Sequence, residues 1–205
     1  MSFGTGSWYR RQALSRAGLV AGMRVLDVAV GTGLVAREEI TLTGSPKLVI
    51  GLDPSAGMMR QAVASLNIAA VMGIGEQIPM AGGQFDFVSM GYALRHLVDL
   101  NLAFSEFLRV LRPGGRLCLL EITAPKNRLA RALLRGYMRW AVPLLTRVTT
   151  GRASSQLLWQ YYWDTIQACV RPAEIEAALH RAGFEGIRRR DELGIFSEYT
   201  AVRPG

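Results

Sequence analysis

The chain has 205 residues, 50% of them apolar, and a formal net charge of +8. That size and composition suit a single domain with a buried core and exclude a disordered chain. No apolar run approaches the ~20 residues that a membrane span requires, and two cysteines without C-x-x-C spacing and two histidines leave no metal site to expect.

The opening MSFGTGSWYRRQAL is broken by Arg10 and Arg11 and lacks the apolar stretch of a secretory leader, so a reducing, cytoplasmic setting is expected. Ser7 to Leu19 reads as a short helix with Trp8, Ala13 and Leu14 on its apolar side. Arg24 to Ala29 is an apolar, β-branched run opening into a glycine loop, which marks a buried parallel strand. KLVIGLD, ending at Asp53, is a second such strand. PSAGMMRQAVASL starts on Pro54 and carries Met58, Met59, Ala62, Val63 and Leu66 at helical spacing. IAAVMG is a short third strand and FDFVSMG a fourth. Asp99 to Leu111 has Leu100, Phe104, Phe107, Leu108 and Leu111 on one helical face; RPGG ends it, and RLCLLEI is the fifth strand. Beyond Ile122 an arginine-rich helical insertion is expected at 126–165. A helix over PAEIEAALHRAG follows, with Gly183 as its terminator, and FEGIRRR and IFSEYTAV read as a closing pair of strands. Alternating strands and helices predict an α/β fold, a doubly wound, Rossmann-like sheet. It should be mostly parallel with a closing antiparallel strand, in one domain over 1–205.

VLDVAVGTGLVA, Val25 to Ala36, admits two readings. Gly31-Thr32-Gly33-Leu34-Val35-Ala36 fits the dinucleotide pattern G-x-G-x-x-A. Asp27, however, stands near the loop, where a carboxylate opposes a pyrophosphate and favours a ligand with a cationic ammonium. S-adenosyl-L-methionine carries such a group together with a ribose and an adenine. Asp53, at the next strand end, can accept from both ribose hydroxyls, although dinucleotide enzymes also place an acid there and Asp53-Pro54-Ser55 could simply cap a helix.

VLDVAVGTG, GLDPSAGMM, GEQIPM, FDFVSMGYALRHLVD and FSEFLRVLRPGGRLCLLEI occur in the order typical of class I methyltransferases. From about Trp8 to its C-terminus the chain resembles the UbiE-like family of ubiquinone and menaquinone C-methyltransferases. The resemblance implies the class I methyltransferase sheet and S-adenosyl-L-methionine as cofactor. It implies that Asp27, Ala29, Gly31, Thr32 and Gly33 hold the methionine end and that Asp53 holds the ribose. Met58 would pack on the adenine, Ile74 and Gly75 would meet its edge through backbone groups, and Gly91 would lie near the sulfonium. Three departures stand out. Ile74 replaces an acidic or amide side chain, Leu34 replaces an Asp, and only 23 residues precede Arg24, so a short or absent flap over the cofactor is expected.

Methylation of a base amine usually uses N/D-P-P-Y/F after the fourth strand, where this chain has SMGYALRH. Neither Cys118 nor Cys169 is placed to attack a pyrimidine, and no clustered acids suggest metal-dependent catechol methylation. The resemblance makes YALRHLVD the chemical segment, with Arg95 and with His96 where the family has Asn. Arg95 stays charged and suits stabilising a phenolate, unless it serves a structural ion pair; His96 suits proton removal, unless it merely packs or caps. Tyr92 and Tyr161 are expected to line the substrate pocket. No acid occurs between Glu121 and Asp164, while Lys126, Arg128, Arg131, Arg135, Arg139, Arg147 and Arg152 supply seven positive charges. Four of these arginines, Arg128 to Arg139, share one helical face opposite Leu129, Leu133, Tyr137, Trp140 and Leu144. Such a helix can lie on an anionic membrane or simply form a solvated face. The expected partners are therefore a small lipophilic or phenolic substrate and a membrane surface at 126–150, with nucleic acid disfavoured and a homodimer left open. C-methylation of a polyprenylated quinol is the leading reading. Phenolic O-methylation, a catalytically weak cofactor-binding scaffold and a nicotinamide oxidoreductase are its rivals.

Overall fold

The computed structural model describes residues 5–122, 170–192 and 196–205. The arginine-rich stretch at 126–165, Tyr161 and Cys169 fall outside the described residues. The elements in chain order are α1 (Thr5–Arg16), β1 (Val25–Val28), α2 (Ala36–Thr43), β2 (Val49–Asp53), α3 (Ala56–Leu66), β3 (Ala69–Met72) and β4 (Phe85–Gly91). They continue with α4 (Leu100–Val110), β5 (Leu111–Ile122), α5 (Pro172–Ala182), β6 (Glu185–Glu192) and β7 (Phe196–Val202). The strands form one sheet in the order β3-β2-β1-β4-β5-β7-β6. Pairings from β3 through β5 are parallel, and β7 runs antiparallel to both β5 and β6. This is the doubly wound sheet with a closing antiparallel strand that the alternation of elements implies.

Strand alternation divides the core between two helical layers. Leu26, Val28, Val88 and Met90 pack with Phe104 and Phe107 of α4 and with Ile175 and Leu179 of α5. Val25, Phe87, Cys118 and Leu120 face the other way, with Tyr9 and Leu14 of α1, Ala36 of α2 and Ala62 of α3. The same alternation turns Asp27 and its register partner Ser89 toward the α1–α2 layer. Phe104 and Phe107 are fully buried with ring centroids 5.8 Å apart, and each contributes about 1.5–3 kcal/mol of burial.

Several local expectations shift. Ala13 and Leu14 of α1 are buried as expected, but Trp8 is 59% exposed and Tyr9 is buried in its place. The Tyr9 ring stacks on Phe196 at 4.5 Å. Residues Pro46–Leu48 form a short 3-10 turn capped by Ser45, so β2 begins at Val49 rather than Lys47. On α3 only Ala62 is buried, while Met58 and Val63 face outward. RPGG does not precede the fifth strand but lies within it. Phe85 opposes Leu111 and Phe87 opposes Arg116, so the intervening residues form a bulge in β5. Gly114 has φ 74°, and its N–H donates to the Arg203 carbonyl at 3.0 Å, which ties the bulge to the chain's C-terminal segment.

Candidate active site at the carboxyl edge of the sheet

The order in which strands are added reverses between the parallel neighbours β1 and β4, since β2 and β3 lie on one side of β1 and β5 lies beyond β4. A crevice opens at such a point beyond the carboxyl ends of the strands. Both strands end there in strained backbone: Ala29 follows β1 with φ 57° and Tyr92 follows β4 with φ 60°. The glycine loop after β1 and Gly91 at the end of β4 frame the crevice. Gly33, with φ 86°, adopts a backbone that strains any other residue, and the Leu66 side chain of α3 packs where its Cβ would stand.

Asp53 fixes the loop. One carboxylate oxygen accepts from the Gly31 N–H at 2.8 Å and the other from the Ser55 N–H at 2.8 Å, so the end of β2 clamps the loop to the start of α3. The cap of α3 is Ser55, whose hydroxyl accepts from the Met58 N–H. Each Asp53 oxygen keeps a further lone pair for a ligand hydroxyl. Met58, 49% exposed, extends its thioether over the loop to 3.9 Å from where a Gly31 Cβ would stand. Thr32 is exposed on the loop.

Asp27 does not stand alone as the sequence suggests. It is 1% exposed and sits with Glu39 of α2, itself fully buried, about the Ser89 hydroxyl. Ser89 donates to Glu39 Oε1 and lies 3.4 Å from Asp27 Oδ1. Burial and the neighbouring Glu39 hold the Asp27 carboxyl well above the usual carboxylate range, and burial pushes Glu39 up to about 7. Asp27 Oδ2 and Glu39 Oε2 are buried without a hydrogen-bond partner. The adjacent Glu38 is compensated differently, by the Ser7 hydroxyl at 2.5 Å and the Arg11 guanidinium at 2.9 Å from α1. Neither Glu39 nor Ser89 is singled out by any motif; the only signal is a polar residue inside the apolar run FDFVSMG.

Along the far wall, the Ile74 backbone bridges to Gln77, and Gly75 is buried where a Cβ would press on Leu97 and Phe107. Glu76 accepts from the Val98 N–H at 2.7 Å, holding this loop to the segment after β4. In that segment Leu94–His96 form a 3-10 turn. Arg95 donates to the Tyr92 carbonyl at 2.5 Å and pairs with Glu121 at 3.6 Å, the two side chains being 13% and 1% exposed. Glu121, at the end of β5, was not apparent from sequence, because only the β4–β5 pairing brings it to Arg95. His96 lies at the surface, and partial burial together with the Arg95 charge lowers its pKa, leaving a neutral imidazole at pH 7. The Tyr92 phenol lies near the Arg10 guanidinium of α1, and burial pushes it up, so it stays protonated.

A sheet reversed at β1/β4, a glycine loop clamped by the acid that ends β2, and an antiparallel β7 define the class I methyltransferase fold. Solved structures share it. A SAM-dependent methyltransferase from Aquifex aeolicus superposes with a TM-score of 0.69 at 19% identity, over 95% of this chain and 89% of that one. Phosphoethanolamine N-methyltransferase 2 of Haemonchus contortus, in complex with S-adenosyl-L-methionine, gives 0.70 at 17% identity, over 96% of this chain and 52% of that one. Residues 1–203 match the model of the ubiE/COQ5 methyltransferase family, and the chain belongs to that family. The ubiquinone/menaquinone biosynthesis C-methyltransferase UbiE of Geobacter sulfurreducens is 34% identical over 99% of this chain and 81% of its own length. Its counterpart in Syntrophotalea carbinolica is 32% identical over 99% and 86%. A demethylmenaquinone methyltransferase from a Mycobacterium species is 31% identical over 100% and 86%.

Proposed function

We propose that this methyltransferase moves a methyl group from S-adenosyl-L-methionine to a ring carbon of a lipophilic quinol. The match of residues 1–203 to a family whose relatives are quinone C-methyltransferases carries the reading. The site's own chemistry fits the cofactor. Two carboxyl groups with orphaned oxygens lie beneath the glycine loop, a setting that favours a cation and opposes the pyrophosphate of a dinucleotide. Asp53 holds the ribose hydroxyls through its remaining lone pairs, Gly31, Thr32 and Gly33 line the methionine end, and Met58 covers the adenine, whose edge meets the backbone of Ile74 and Gly75. Gly91 at the end of β4 has no room for a side chain, because a Cβ there would collide with Val35. Bound there, the cofactor supplies an electrophilic methyl group.

Arg95 and His96 divide the acceptor chemistry. A guanidinium fixed by Glu121 and the Tyr92 carbonyl cannot take a proton, but it stabilises the oxyanion that forms on the quinol. His96, neutral at pH 7, takes the hydroxyl proton so that negative charge reaches the ring carbon. Tyr92 and Tyr161 are assigned to the acceptor, and the basic stretch over 126–150 to the anionic surface in which a polyprenylated quinol resides. Isothermal titration with S-adenosyl-L-methionine, S-adenosyl-L-homocysteine and NAD tests the cofactor assignment. Saturable binding of the first two and none of NAD is expected; binding of NAD alone overturns it.

A further inference from the structure

The Asp27–Glu39 pair has no part in the chemistry assigned above beyond its charge, yet its construction is unusual. Both side chains are at least nine-tenths buried, both come to one hydroxyl, and each keeps an oxygen without a partner. Among the described residues the ion pairs engage other acids, Glu38 with Arg11 and Glu121 with Arg95, and none involves Asp27 or Glu39. The groups that face the pair add no positive charge. Ser89 and Cys118 come from β4 and β5, the Cys118 thiol being pushed up by burial; Asp53 comes from β2 and adds negative charge. Behind them Tyr9 and Tyr92 are also pushed up by burial and stay neutral. Among the described residues no group of three or more His, Cys, Asp or Glu could hold a metal ion there.

Two carboxylates cannot both ionise in such a place without a nearby cation. The Ala36 backbone, at the start of α2, lies against the Asp27 carboxyl, so the pair adjoins the loop on which a cationic ligand end would lie. We propose that Asp27 and Glu39 act as one acid that keeps a proton in the free protein and releases it when the ammonium of the methyl donor settles on the glycine loop. Glu39 is then a positioning residue, acting on the cofactor through Asp27, and it makes cofactor affinity depend on pH. This rests on the cofactor reading above.

The sign is fixed by linkage: a ligand that expels a proton binds more tightly as pH rises through the range in which the free pair titrates. Glu39, pushed up to about 7, places that range near neutrality. Titration with S-adenosyl-L-homocysteine in two buffers of different ionisation heat counts the protons. About one should leave per ligand at roughly pH 6.5, and affinity should rise up to ~10-fold per pH unit from about 6 to 7. 5′-Methylthioadenosine, which lacks the amino-acid end, should release none. Glu39→Gln should lose most of the release and flatten the affinity profile. Ser89→Ala, which removes a hydrogen bond to the ionised Glu39, should move the release to higher pH. In the free protein, raising pH from about 4.5 to about 7 should lower the melting temperature of the wild type more than that of Glu39→Gln, because over that span the folded pair holds a proton that the unfolded chain does not. Homocysteine-derivative binding without proton release, or equal release by wild type and Glu39→Gln, overturns the proposal while leaving the cofactor assignment intact. Binding of neither adenosine ligand at any pH overturns the assignment itself.

Discussion

Asp53→Asn is nearly isosteric, and the structure says what it must break. The wild-type carboxylate accepts from Gly31 N–H and Ser55 N–H, both at 2.8 Å, through different oxygens. An amide offers one oxygen and one NH2, so whichever way it turns, one of those backbone donors meets another donor. A hydrogen bond to a charged acceptor is worth about 1.5–3 kcal/mol, and Asp53 is almost fully buried, so little solvent is available to replace it. The loss falls on the clamp that shapes the glycine loop and on the acceptor for the ribose hydroxyls. At about 1.4 kcal/mol per decade, the affinity for S-adenosyl-L-homocysteine should drop roughly 10- to 100-fold. The urea midpoint should fall by an amount matching about 1–3 kcal/mol. Titration calorimetry and urea unfolding of the same preparations measure both. Affinity within about twofold of wild type together with an unchanged midpoint would refute the assignment of Asp53 to the loop and the ribose.

Gly33→Ala puts a side chain at φ 86° and against Leu66, so it should cost at least ~1–2 kcal/mol in urea unfolding and displace the loop enough to abolish cofactor binding. His96→Asn should remove the acid limb of the rate profile, which in the wild type lies below the ordinary imidazole pKa of about 6.5 because the lowered pKa keeps the base active to lower pH; an unchanged profile would make His96 structural. Arg95→Ala should lower kcat by about 2.7–4 kcal/mol of transition-state stabilisation with cofactor affinity nearly intact, and a loss confined to folding stability would leave only its pair with Glu121. Sedimentation with anionic vesicles should fall with salt and with simultaneous Arg→Gln changes at Arg128, Arg131, Arg135 and Arg139, while equal binding to neutral vesicles would remove charge as the cause.

The order of strands, the glycine loop and the acid ending β2 are legible in the sequence because each is local: apolar β-branched runs, then glycines, then a helix start. β4 is read to the residue as FDFVSMG. What escapes the sequence is set by rotation and by distance. At the start of α1 the ring of Phe196, far along the chain, selects Tyr9 over Trp8 for burial. Glu38 and Glu39 are adjacent and identical, yet one turns to Ser7 and Arg11 of α1 and the other to Ser89 of the sheet. Arg95 reads as a free catalytic cation until the β4–β5 register brings Glu121 beside it. RPGG reads as a stop between helix and strand, whereas pairing on both sides of it absorbs it into β5 as a bulge.

Transfer of the methyl group to carbon, not oxygen, is read directly from the product. The purified protein should be incubated with S-adenosyl-L-methionine bearing a carbon-13 methyl and a reduced, short-chain prenylated quinol that lacks the ring methyl. NMR of the extracted product then locates the label. A methyl carbon bonded to the ring, with both hydroxyls free, is the result expected. A label on oxygen, or none on this acceptor while a phenolic one is methylated, would contradict it.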